Sequence, residues 1–146
     1  NQKHEVRELI NQMAESKIII ISTHLLEEVD AVCNRVIIID RGQILADDTP
    51  QNLEARSRFH NAVSIKFADR SQLESARTEI SLLPGVLNTE VNQNIDRLTA
   101  FPAEGQMLLK VISELANTKG WDLSELSLES GRLDEVFRTI TRGAAT

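Results

Sequence analysis

An α/β portion followed by a smaller α+β portion is the fold class that this sequence predicts, and three observations carry it. Four consecutive isoleucines, Ile18-Ile19-Ile20-Ile21, stand between two stretches with helical apolar spacing. A short run without polar alternation reads as a strand buried on both faces, as in a parallel sheet. From Val63 onward, alternating stretches and striped stretches succeed one another in a second, different order. Finally, 41% of the residues are hydrophobic but only 3% aromatic, so any core must be mostly aliphatic.

A chain of 146 residues has room for one ordinary domain or two small ones. Its formal net charge of −6 argues against generic nucleic-acid binding, which needs clustered cations to displace counterions. No apolar run approaches the length that spans a bilayer, so direct membrane insertion is not expected, and no secretory pattern opens the chain. The single Cys33 excludes an intramolecular disulfide and fits a reducing, cytoplasmic setting. Asn1 has no initiator Met before it, and the first residues already read as helix, so a piece of a longer protein is expected.

Val6, Leu9, Ile10 and Met13 fall at i, i+3, i+4 and i+7, an amphipathic helix over residues 2–16. It leads into the isoleucine strand as half of a βαβ crossover would. Ser22 and Thr23 end the apolar run, and Leu25, Leu26, Val29, Val32 and Cys33 then recur at helical spacing. His24 therefore sits where a buried strand hands over to a helix. In open α/β sheets ligands bind at that edge, and free N–H groups at a helix start favour an anion. Residues 35–40 form another apolar strand, Asp40-Arg41-Gly42-Gln43 a turn, and Ile44-Leu45-Ala46 its hairpin partner. Asp48-Thr49-Pro50 opens a short helix anchored by Leu53. Arg56-Ser57-Arg58-Phe59-His60-Asn61 breaks the periodicity, which divides the chain into residues 1–57 and 58–146.

In the second part Val63, Ile65 and Phe67 alternate with Ser64 and Lys66, a half-buried strand. Asp69-Arg70-Ser71 caps a helix striped by Leu73, Ala76, Ile80 and Leu83 and stopped by Pro84-Gly85. Val86 and Val91 mark a strand, Asn92-Gln93-Asn94 a turn, and residues 95–101 the partner. Met107, Leu108, Val111, Ile112 and Leu115 mark a second helix ending near Lys119-Gly120. Leu123, Leu126 and Leu128 suggest a fourth strand. A closing helix follows, with Leu133, Val136 and Phe137 toward the core. The order βαββαβα is that of a ferredoxin-like sandwich with one added helix.

Two stretches carry a family resemblance. Ile-Ile-Ile-Ser-Thr-His-Leu-Leu-Glu-Glu-Val, followed by Arg35-Val36-Ile37-Ile38-Ile39-Asp40-Arg41-Gly42-Gln43-Ile44, closely resembles the end of an ABC-transporter ATPase domain. The closing Ser127-Leu128-Glu129-Ser130-Gly131-Arg132-Leu133-Asp134-Glu135-Val136-Phe137 is similar to the ending of bacterial ABC ATPases of the drug-resistance and gliding-motility type, which carry a C-terminal extension. The fold so implied is α/β: the C-terminal portion of a P-loop ABC ATPase core, then a small α+β ferredoxin-like domain. His24 then matches the switch histidine that reaches the γ-phosphate of ATP, as both its catalytic and its cofactor-binding residue. Asp48 departs from the small residue usual before this Thr-Pro, which touches a turn and not the nucleotide site.

The resemblance further implies ATP and Mg2+ as cofactors of the intact protein, and two partners, a membrane permease subunit and a second ATPase subunit. It places the protein in the cytoplasm, peripheral on the inner face of the membrane, coupling hydrolysis to export or assembly. No Gly-x-x-x-x-Gly-Lys-Ser/Thr phosphate loop, signature segment or catalytic glutamate occurs in these residues, so this chain alone is expected to be inactive. The alternative is a stand-alone ferredoxin-like regulatory or interaction domain without nucleotide chemistry.

Other residues have plainer readings. His24-x-x-Glu27-Glu28 has a zinc-protease flavour, but the second histidine is absent, and His4 and His60 have no ligand spacing, so no metal site is expected. Glu27 and Glu28 read as first-turn acids favoured by a helix dipole. Asp47-Asp48 reads as a solvated turn, Cys33 as a small buried hydrophobe, and Arg132 and Arg138 as a solvated helix face. The chemical argument thus rests on His24, whose imidazole can donate to a phosphate oxygen and respond to the charge it meets.

Overall fold

The computed structural model describes residues 2–143, which form two compact units, one of residues 2–57 with 132–143 and the other Arg58–Gly131. Both sheets are antiparallel. The protein is thus a mixture of helix and sheet, and the parallel ladder expected around the isoleucines is not found among the described residues.

The first unit opens with α1 (Gln2–Ala14), whose Val6 and Leu9 are exposed. The isoleucine run that follows is not a strand. Ile18 and Ile20 are 94% and 89% exposed, in irregular backbone. A strand buried on both faces requires ladder partners and two covering layers. Among the described residues no strand pairs with this run. After it come a single tight turn, Leu26–Glu28, and the one-turn α2 (Val29–Val32). β1 (Val36–Asp40) and β2 (Gln43–Asp48) then form the hairpin, with Asp40 facing Gln43. Arg41 and Gly42 both take positive φ, 49° and 78°, the two-residue turn whose twist suits a hairpin. A bulge between Ile38 and Ile39 leaves Leu45 without an opposite residue and lets it join Ala46 on the core side. α3 (Pro50–Glu54) is capped by Thr49, whose Oγ1 accepts from Asn52 N at 3.2 Å.

The closing helix, α6 (Leu133–Gly143), departs from expectation. Its Val136 is buried with Ile38, Ala46 and Leu53, and Leu133 and Ile140 pack against the same cluster. It therefore completes the core of the first unit and not that of residues 58–131. Leu133, Val136 and Ile140 are the i, i+3, i+7 stripe, whereas Phe137, expected to face the core, remains 37% exposed. Ser57 Oγ donates to Glu135 Oε2 at 2.6 Å and fixes the same contact from the polar side.

The second unit is a four-stranded sheet with two helices. Its elements are β3 (Val63–Phe67), α4 (Leu73–Ser81), β4 (Val86–Asn92), β5 (Arg97–Pro102), α5 (Leu109–Lys119) and β6 (Leu123–Leu128), and the strand order is β4-β5-β3-β6. Val63, Ile65 and Phe67 of β3 alternate inward and meet Leu73, Ala76 and Ile80 of α4 and Ile112 of α5. Asp69 accepts from Ser71 N at 2.9 Å and starts the helical segment. Gly120, in the left-handed region at φ 65°, ends α5. Trp121 stacks edge-on against Phe67 with centroids 5.9 Å apart.

On the other side of the sheet Phe59, Ala62 and Phe101 form a small cluster. Arg58 lies over both rings, 4.6 and 4.9 Å from their centroids, and pairs with Glu90 at 2.6 Å. Ser64, on the outward parity of β3, is only 1% exposed and its hydroxyl has no hydrogen-bond partner. The chain enters and leaves this unit side by side. Glu129 N donates to Ala62 O at 2.8 Å, Asn61 N to Glu129 O at 3.0 Å, and His60 Nδ1 to Ser130 O at 2.7 Å.

Candidate functional site

His24 lies in the first unit, exposed, at a bend between the isoleucine run and the turn Leu26–Glu28. The bend is set by its neighbour. Thr23 Oγ1 accepts from Leu25 N at 2.9 Å, a local side-chain bond that competes with both strand and helix and stops the extended chain. Glu28 N then donates to Leu25 O at 3.1 Å, and Cys33 N to Val29 O at 2.8 Å closes the single turn of α2. Val29, 5% exposed, anchors that turn.

The helix expected after His24 is therefore much shorter than its apolar spacing suggested. A tight turn and four residues of helix sum few peptide dipoles, so the anion-favouring field expected there is small. Glu28 is held by Lys3 Nζ at 3.3 Å, an ion pair with α1.

Beside this segment a cavity of about 370 Å³ opens between α1 and α2. Val6, Ile10, Ile21, Val29 and Val32 make it largely apolar, with Thr23 on its wall, and His24 is not among its lining residues. Cys33 also lines it, half-buried. Burial pushes its thiol up from the ordinary value, away from the nucleophilic thiolate.

None of the other histidines joins His24. His4 pairs with Glu8 at 3.5 Å on α1, and His60 belongs to the second unit. Among the described residues no group of three His, Cys, Asp or Glu side chains is placed to hold a metal ion. Nor is any described helix long and apolar enough to cross a membrane.

Asp47 and Asp48 are not the solvated turn that their sequence suggested. Both lie in β2. Arg35 donates to both oxygens of Asp47 at 2.7 Å and holds its carboxyl below the usual range. Asp48 accepts from Asn52, from Thr49 N and from Arg56, and is likewise held low. Sequence reasoning also missed the meeting of Asp30 on α2 with Glu54 on α3. Each follows a buried anchor, Val29 or Leu53, but nothing in one dimension says that α2 and α3 meet.

The chain's homologues are ATP-binding proteins of ABC transporters. The doxorubicin resistance ATP-binding protein DrrA of Mycobacterium tuberculosis is 29% identical over 124 residues, which cover 84% of this chain and 37% of the relative. The daunorubicin/doxorubicin resistance ATP-binding protein DrrA of Streptomyces peucetius is 28% identical over 130 residues, 84% of this chain and 36% of its own length. Over 50 residues, 34% of this chain and 18% of the relative, a putative ABC transporter ATP-binding protein of Synechocystis, sll0385, is 52% identical. The chain thus spans little more than a third of the length of the DrrA relatives that it matches. No protein-family model matches it.

Proposed function

We propose that this chain is the C-terminal part of the ATP-binding subunit of an ABC transporter, which couples ATP hydrolysis to export or assembly through a membrane permease. The observation that carries the reading is the run from Ile18 through Glu28 around an exposed His24, in a chain aligned over 84% of its length with ATP-binding proteins. In this role the His24 imidazole donates to a γ-phosphate oxygen of ATP, stabilising charge in transfer or orienting the attacking water. The phosphate loop and the general base belong to residues outside this chain. Magnesium, bound there, would neutralise phosphate charge. The permease, a second ATPase subunit and a position on the inner face of the cytoplasmic membrane complete the reading.

Two structural features support it. The outward Ile18 and Ile20, with Val6 and Leu9 of α1, are the aliphatic surface that the remaining strands of an ATPase core would cover. The strand order β4-β5-β3-β6, with α4 and α5 as crossovers, favours a ferredoxin-like extension for the second unit.

The test is steady-state ATPase activity and nucleotide binding of His24→Ala in the intact protein. Turnover is expected to fall roughly ten- to a thousand-fold while ATP affinity stays within a few-fold. Hydrolysis at the wild-type rate would overturn the assignment of His24.

A further inference from the structure

We propose that β4 is a strand-pairing surface, on which a second copy of this chain adds its own β4, antiparallel about a two-fold axis at Thr89. β4 stands at the end of the strand order β4-β5-β3-β6, so among the described residues one of its two flanks has no ladder partner. At seven residues it is also the longest strand of the sheet. Val86 and Val91 turn inward onto the cluster beneath the sheet, which fixes the strand and leaves that flank open. Unpaired N–H and C=O groups along such a flank are a template for another strand.

Exposed edges ordinarily carry lysine, proline or an inward-pointing charge against such pairing. Val86-Leu87-Asn88-Thr89-Glu90-Val91-Asn92 has neither lysine nor proline. Its one charge, Glu90, is held by Arg58 of the same unit at 2.6 Å. The bulge between Val86 and Asn88 sits at the start of the strand and leaves residues 88–92 in regular register with β5. Leu87, the extra residue of the bulge, is 74% exposed. The other edge strand, β6, runs directly into the doorway where the chain leaves the unit at Glu129.

The strand's own sequence selects a second copy as the occupant. A two-fold axis at Thr89 sets Asn88 opposite Glu90 of the partner subunit and Leu87 opposite Val91 of the partner subunit. Amide meets carboxylate, aliphatic meets aliphatic, and no like charges oppose. Moving the axis to Glu90 would set two carboxylates face to face, which disfavours that register. An edge contact of this length falls short of the roughly 800 Å² per partner of a stable complex, so a dissociation constant on the order of 100 µM is expected. The pairing concerns residues 58–131 and does not rest on the role of His24.

The experiment uses the full chain. Sedimentation equilibrium from about 10 µM to about 1 mM is expected to show monomers passing into dimers. Asn88→Glu puts like charges at both symmetry-related positions and should weaken the dimer roughly two- to thirty-fold, whereas Asn88→Lys should tighten it by a similar factor. Asn88 is exposed, so neither substitution touches a core, and Trp121 fluorescence checks that the unit stays folded. Amide exchange along β4 should slow as concentration rises, while that along β6 should not. A chain that stays monomeric to about 1 mM, a dimer that both substitutions shift in the same direction, or protection that appears at β6 instead overturns the proposal. The wild-type mass and exchange decide alone if a variant does not fold.

Discussion

Val136→Ala tests which core the closing helix completes. Val136 is 3% exposed against Ile38, Ala46 and Leu53. The substitution removes two methyl groups from this cluster, about 1.6 kcal/mol at about 0.8 kcal/mol per buried carbon. The cavity left behind adds to that, and the better helix propensity of alanine returns about 0.5 kcal/mol. A net loss of about 1.5 kcal/mol shifts a urea midpoint by about 0.5–1.5 M for a slope of about 1–3 kcal/mol per M. The readouts separate the units, because the chain has one tryptophan and no tyrosine. Trp121 packs on Phe67 in the second unit, so its fluorescence follows that unit, while far-UV circular dichroism follows both. The dichroism transition of the first unit should move and the fluorescence midpoint should hold. A fluorescence midpoint that shifts by the full amount would refute the placement of α6.

Two further substitutions read the fold at other points. Ser64→Ala removes a buried hydroxyl without a partner, and the Trp121 fluorescence midpoint should rise by the equivalent of about 0.5–2 kcal/mol; a fall would mean that the hydroxyl is satisfied. Asp47 is held low by its Arg35 hydrogen bonds, so its stabilisation is present above the ordinary value near 3.8 and is lost as pH falls below it. In Asp47→Asn the acid limb of the first unit's dichroism-monitored stability should flatten, and an unchanged limb would show that the pair carries no linkage.

Elements whose signals are local were legible in the sequence. Asp69 before the Leu73-Ala76-Ile80 stripe, and Gly120 after a second stripe, supply start and stop chemistry within a few residues, and α4 and α5 stand where these signals put them. Leu123 and Leu126 have opposite parity, which period-two reading cannot reconcile. A bulge at Lys66/Phe67 makes Ser124 the extra residue and returns Leu123 to the inner face. The stripe of α6 announced an apolar face but not which core would receive it. For residues 18–21 composition argued correctly for an aliphatic segment, yet a strand is a relation between segments, and no partner pairs with it among the described residues. His24 was marked by its neighbours in sequence. The Thr23 bond that bends the chain beneath it needed coordinates.

The paired entry and exit of the second unit have a mechanical consequence. The outermost bonds of the doorway join His60 to Ser130 and Asn61 to Glu129, at the open end of the antiparallel β3–β6 pair. Tension applied at Arg58 and Gly131 loads these bonds one after another, as a zipper is loaded, and not all together in shear. The doorway therefore yields at small force by a pair or two, while the aliphatic layer beneath Ile65 and Phe67 stays shut. Residues 58–131 form a cassette that a short loop can bridge when it is cut out.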